Sequence, residues 1–286
     1  MRRPGEILVA DRFAELRAHL LSLLAELSAD DWDRPTAAPL WSVKDIAAHL
    51  LGDDIGTLSR CRDGFRPAGK PIHGHEDLVK LVNGLNDQWV RAARRMSPRV
   101  LCELLAYTGP QIEAYFASLD PFAMSGPVTW AGPEPAPVWF DVAREFTERW
   151  HHQQQIRDAA GRPPLYEPYF FAPVLDAFVR ALPHTFRDVA APVGTVLKVE
   201  ISGEAGGCWF LQRNQSAWEL FLEVETIAAA EVIIPQDAAW RVFTKGMDGD
   251  RARRVATVCG DYQLARRVFE TVAVIAEGPA VRRPAY

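Results

Sequence analysis

"FTERWHHQQQIRDAAGRP", residues 146–163, decides how the first half of the chain is built. Leading into it, Trp139, Val142, Phe146 and Trp150 recur at three- and four-residue steps. That spacing predicts a helix from Val138 to Ala160, ended by Gly161 and two prolines. On such a helix Glu148 and His152 project from one side, one turn apart, while His151 is rotated by roughly 100° from His152. Glu148 with His151, at i and i+3, is also a known spacing for metal sites in helical bundles, so spacing leaves both histidines open. The apolar stripe faces away from Glu148 and His152, and a polar face of Asp141, Glu145, Glu148, His152 and Gln155 is ordinarily solvated or held in salt bridges.

Upstream, helical spacing repeats. Phe13, Leu16, Leu20, Leu23, Leu24 and Leu27 predict a helix over 11–29. Ser42 with Asp45 three residues on reads as a capping box, and Val43, Ile46, Ala47, Leu50 and Leu51 form the face of a second helix ending at Arg62 to Gly64. A Pro/Gly-rich loop, FRPAGKPIHG, leads to a third helix over 76–96, closed by Pro98, and a fourth runs over 100–119. After about Tyr166 the period changes. A short helix, VLDAFVRAL, precedes VLKVEIS, CWFLQR, AWELFLEV and AEVIIP, in which apolar residues alternate as in half-buried strands. Asp237 and Asp261 then read as caps of two further helices, the last carrying Leu264, Val268, Val272 and Ile275 on one stripe. The expected fold is α+β in two domains, a four-helix bundle over 1–165 and an α+β domain with a mainly antiparallel sheet over 166–286, joined by GRPPLYEP.

A length of 286 residues suits two ordinary domains, and the net charge of -5 offers no general basic surface for nucleic acid or an anionic membrane. No apolar run reaches the length of a secretory core or a membrane span, so the chain is expected to be cytoplasmic. Cys61, Cys102, Cys208 and Cys259 stand far apart with no C-x-x-C pair, and each is expected to be a reduced, packed thiol. The oligomeric state stays open, a homodimer included.

A metal held by Glu148 and a histidine needs a third ligand, and the second helix offers His49, with Asp53 one turn beyond. Two imidazoles, one carboxylate and an open position are a common way of holding catalytic zinc. The stretches WSVKDIAAHLLGDD (41–54), LSRCRDGF (58–65), FTERWHHQQQIRDAAGRP, TKG and VCGDYQLARRVF (258–269) together resemble the mycothiol-dependent maleylpyruvate isomerase family, within the DinB-like four-helix-bundle superfamily. The second half looks like a sterol-carrier-protein-2-like (SCP2-like) domain. The resemblance implies His49, Glu148 and His152 as ligands of a divalent ion, zinc first, and thereby chooses His152 over His151. It also implies a contribution from the C-terminal domain, for which Trp240 and Arg241 are the candidates without a motif to carry them.

By that resemblance the cofactor is mycothiol or a related small thiol, and the partners are that thiol and a small electrophile. A metal-bound thiol ionises well below its free pKa of about 8.5, and can add to an electron-poor double bond, allow rotation and leave, or stay as an S-adduct. The expected function is therefore a metal-dependent thiol-using isomerase or S-transferase. Its alternatives are a metal-dependent hydrolase with Glu145 or Asp53 as base, and a non-catalytic protein in which a metal staples the bundle and the second domain holds a small apolar ligand.

Overall fold

Ser28, Ser42 and Ser97 each turn a side-chain oxygen onto the free N–H groups that start a helix, and the first two complete reciprocal capping boxes with Asp31 and Asp45. In the computed structural model, which describes residues 1–66 and 75–275, these caps open α2 (Ala29–Trp32), α3 (Val43–Thr57) and α5 (Pro98–Ala117). The other helices of the N-terminal half are α1 (Phe13–Ala25), α4 (His75–Ala93) and α6 (Val138–Ala159). Pro98 begins α5 instead of closing the helix before it, because its missing N–H falls where no intrahelical bond is made. A π-helical turn, Leu58–Arg62, extends α3 to the predicted end. Most of the loop FRPAGKPIHG, residues 67–74, lies outside the described residues. α1, α3, α5 and α6 pack on one another and α4 lies against α3, so the expected bundle is present.

The C-terminal half carries α7 (Pro168–Val179) and α8 (Leu182–Thr185) ahead of β1 (Val196–Ser202), β2 (Gly207–Arg213), β3 (Trp218–Phe221) and β4 (Ala230–Pro235). α9 (Gln236–Phe243), α10 (Gly249–Val255), β5 (Thr257–Gly260) and α11 (Tyr262–Arg266) follow. The sheet order is β3-β2-β1-β4-β5, antiparallel throughout except for β1 beside β4. Alternation drives it: Leu197, Val199 and Ile201 of β1 and Val232 and Ile234 of β4 are buried.

Several sequence expectations change here. Asp237 is not a cap, since α9 starts at Gln236 behind Pro235 and Asp237 sits inside its first turn. Asp261 does cap α11, but that helix tightens into a 3-10 turn over Arg267–Glu270. Val272 and Ile275 lie beyond it, because the Ala273 N–H donates to Phe243 O and draws the chain out extended. α10 and β5 had no counterpart in the sequence reading; a four-residue, largely exposed edge strand has too little alternation to register. The four cysteines are free, yet Cys61 and Cys259 are exposed and not packed.

One hydrophobic core runs from the bundle into the sheet, joining Phe13, Phe146 and Trp150 to Phe171, Phe178, Val199 and Trp240. Trp150 stacks on Phe171 at 4.4 Å between ring centroids and meets Trp240 edge-on at 5.7 Å. A second cluster fills the space among α1, α3 and α5. The first residues of the chain return to the far half: Arg2 pairs its backbone with Leu222 and Glu223, and Arg180 donates to Gly5 O.

Candidate metal centre

α3 and α6 lie side by side, and that contact decides the site. The residues from His151 to Gln155 are all buried, so this end of α6 is covered all round and the expectation of a solvated polar face does not hold for it. The Trp150 side is covered by α7 and α9 through Phe171 and Trp240, and the opposite side by α3.

His49, Glu148 and His152 each offer a ligand atom, and these atoms lie within 4.8 Å of one another. His152 Nε2 is 3.1 Å and His49 Nε2 3.7 Å from Glu148 Oε1, with Asp53 Oδ2 3.2 Å from His49 Nε2. The two imidazole rings meet edge to face at 4.6 Å, and Trp41 lies over His49 at 4.7 Å. His151 Nδ1 lies nearer Thr147 O, at 3.1 Å, than Glu148 Oε2, at 3.9 Å, and burial pushes the His151 pKa down to about 3.

These donors suit a cation. The His152 ring is held between two side chains, with Nδ1 2.9 Å from Gln155 Oε1 and Nε2 3.1 Å from Glu148 Oε1. His49 Nε2 is buried with carboxylate oxygens close by and no hydrogen bond of sound geometry. Burial alone would raise the Glu148 carboxyl, but His151, His152 and His49 around it hold it well below the usual carboxylate range. Burial raises the Asp53 carboxyl, and Glu148 and Glu145 nearby add to the rise. Two imidazoles and one carboxylate form the donor set of an open zinc site, and Gln155 at His152 Nδ1 orients the ring so that Nε2 faces Glu148.

The cluster opens on a pocket of about 340 Å³, whose walls include Arg60 of the π-turn, Arg144, Trp130, and Val274 and Ile275 from the C-terminal half. That half therefore reaches the site, though not through the residues expected. Trp240 is buried at the joint, donating from Nε1 to Tyr166 Oη, and Arg241 is paired with Asp158 and Asp237; neither lines the pocket. Both bases considered line the pocket: Asp53 lies beside His49, and Glu145 is paired with Arg144 and Arg149. No pattern in the sequence marked Val274, and Ile275 was marked only as part of a helical stripe, not as a pocket residue.

Two buried histidines and a half-buried glutamate on neighbouring helices, at the wall of a pocket lined by both halves of the chain, form a cluster that could hold a metal ion, and comparison with known proteins narrows the class. Residues 13–157, just over half of the chain, match the mycothiol maleylpyruvate isomerase N-terminal domain, and the chain belongs to that family. The crystal structure of the mycothiol-dependent maleylpyruvate isomerase is similar at a TM-score of 0.53 and 9% identity, over 87% of this chain and 90% of that one. A histidine-to-alanine mutant of that enzyme aligns over the same shares at a TM-score of 0.52 and 9% identity. At this identity both establish the shared fold alone. A ubiquinone synthesis protein, UbiJ-SCP2, overlaps 35% of this chain at a TM-score of 0.26, too low to carry an argument. No curated protein matches. Among the described residues no helix is long and apolar enough to cross a membrane.

Proposed function

We propose that this isomerase-like enzyme binds a divalent metal, zinc by its donor set, through His49, Glu148 and His152, and uses mycothiol or a related thiol to isomerise a small electrophile or transfer sulfur to it. The observation that carries the reading is the convergence of the three ligand atoms within 4.8 Å at the wall of a pocket that both halves of the chain line. When bound, the ion would supply positive charge that lets a cofactor thiol ionise near neutral pH, below its free value of about 8.5. The chain's own residues do the rest. His152 is oriented by Gln155, and Asp53, beside His49, is placed to hold a proton near the reacting centre. Arg60 and Arg144 on the pocket wall can stabilise negative charge that develops on the electrophile, and Trp130 and Ile275 exclude water. A small volume suits a small substrate. Maleylpyruvate, the substrate in the name of the structurally similar enzyme, is the first electrophile to try.

The experiment begins with metal content by plasma mass spectrometry of the wild type, His49→Ala and His152→Ala, each checked for retained fold, followed by turnover of maleylpyruvate with and without mycothiol. Near-stoichiometric zinc in the wild type alone, with thiol-dependent turnover, is expected. Metal-dependent turnover that ignores thiol would replace the reading by a hydrolase, and a wild type that takes up no metal would sink it.

A further inference from the structure

Behind the metal cluster lies a polar network that the proposed chemistry does not use. Asp54, adjacent to Asp53, has no exposed side-chain surface, and its two oxygens accept four hydrogen bonds from three other helices. Arg17 Nη2 of α1 reaches Oδ1 at 2.8 Å and Oδ2 at 2.6 Å, Arg149 Nη2 of α6 reaches Oδ1 at 3.1 Å, and Thr108 Oγ1 of α5 reaches Oδ2 at 2.7 Å. Arg149 is itself oriented: Nη1 donates to Glu145 Oε2 at 2.6 Å, and its guanidinium lies 5.7 Å and 5.6 Å from the ring centroids of Phe13 and Phe116.

As a stabilising device this is poor. Removing charges from water costs about as much as their attraction returns, and a buried ion triad replaced by apolar side chains is often as stable or more so. The network is also incomplete, since Arg17 Nη1 and Arg149 Nε are buried without a hydrogen-bond partner. What it does supply is direction. Apolar packing lets two helices slide by a fraction of a turn at small cost, whereas a charged hydrogen bond fixes one carboxylate against one guanidinium. The residues so joined are chain neighbours of the site: Arg149 follows Glu148, and Asp54 follows Asp53, one turn beyond His49. A metal site tolerates misplacement of only about 0.5 Å.

We infer that Asp54 and Arg149, backed by Arg17 and Thr108, are positioning residues that set the axial register of α3 against α6 and thereby the spacing of His49 from Glu148 and His152. The inference rests on the proposed metal site. It is tested on the full chain with cobalt(II), read by its d–d absorption spectrum and by its dissociation constant in competition with a chelator. The variants are Arg17→Met/Asp54→Leu/Arg149→Met, which replaces the triad by apolar side chains, and Arg149→Lys, which keeps the charge and loses the fork.

Both are expected to retain wild-type helical circular dichroism, to bind cobalt on the order of 10–100-fold more weakly, and to shift the d–d bands. Merely structural residues would move the melting temperature and leave the spectrum of the folded protein alone. Folded variants with wild-type affinity and spectrum overturn the inference. If the triple variant does not fold, Arg149→Lys decides by the same two readouts. A wild type that binds no cobalt overturns the metal site itself, and that outcome is separate from a wild type and variants that bind it alike.

Discussion

The two flanks of α6 meet the rest of the molecule in different ways. On one, Trp150 lies flat on Phe171 and edge-on to Trp240, tying the bundle to the C-terminal half through apolar area. On the other, Glu148 Oε1 lies 3.7 Å from His49 Nε2 of α3 and 3.1 Å from His152 Nε2 of its own helix, and the two imidazole rings meet at 4.6 Å. Apolar packing is large and non-directional, so the first flank holds the two halves together; polar contacts are directional, so the second arranges atoms. One helix thereby joins a stabilising face to a chemical one, and the two should fail separately.

The largest expected effect is on the chemical face. Glu148→Gln is nearly isosteric and removes the only carboxylate of the triad, so metal content should fall from near-stoichiometric to background while the melting temperature of the metal-free protein stays close to wild type; mass spectrometry and calorimetry check both. Next comes the apolar face, where Trp150→Ala should cost about 3–5 kcal/mol in urea unfolding, with the protein that remains folded still binding metal. Because the core is continuous, the wild type should lose helix and sheet in one transition. Two transitions would break that part of the comparison.

A smaller effect is expected at the start of α3, which carries His49. Ser42→Ala removes the acceptor for the Asp45 N–H and should lower stability by about 1 kcal/mol in the same titration. The smallest appears with pH. Burial would raise the Asp45 carboxyl, but Arg94 and the Ser42 N–H outweigh it and hold it below its ordinary 3.8. A carboxyl lowered on folding contributes stability that is fully present above the unfolded value and is lost as pH falls through the folded one. Asp45→Asn should therefore differ from wild type at pH 7 and converge on it below about pH 4, as unfolding curves across that range would reveal.

Much of the architecture was legible because it rests on local rules. Caps at Ser42 and Asp261 and the alternation in VLKVEIS are properties of a few neighbouring residues, and they placed α3, α11 and β1. Where a local signal was weak or shared, the reading went astray. Asp237 resembles a cap but lies behind a helix start set by Pro235, and Val272 and Ile275 keep a helical spacing on a segment that a hydrogen bond to Phe243 O draws out extended. Trp240 and Arg241 had no pattern to place them, and they pack at the joint between the halves.

For the candidate site the division is similar. Spacing alone put Glu148 within reach of either histidine, and the family resemblance chose His152; in the fold His152 groups with Glu148 and His49, while His151 Nδ1 lies against Thr147 O. By itself the sequence determined which helices and strands form and which residue types could carry metal chemistry, because helix periodicity, capping and strand alternation act over a few residues. Only the tertiary structure decided that the polar turns of α6 are buried, that Asp54 gathers Arg17, Thr108 and Arg149 behind the site, and that Val274 and Ile275 line its pocket. Those contacts join residues from about 37 to more than 200 positions apart in the chain, and no local pattern encodes which distant side chains will share one volume.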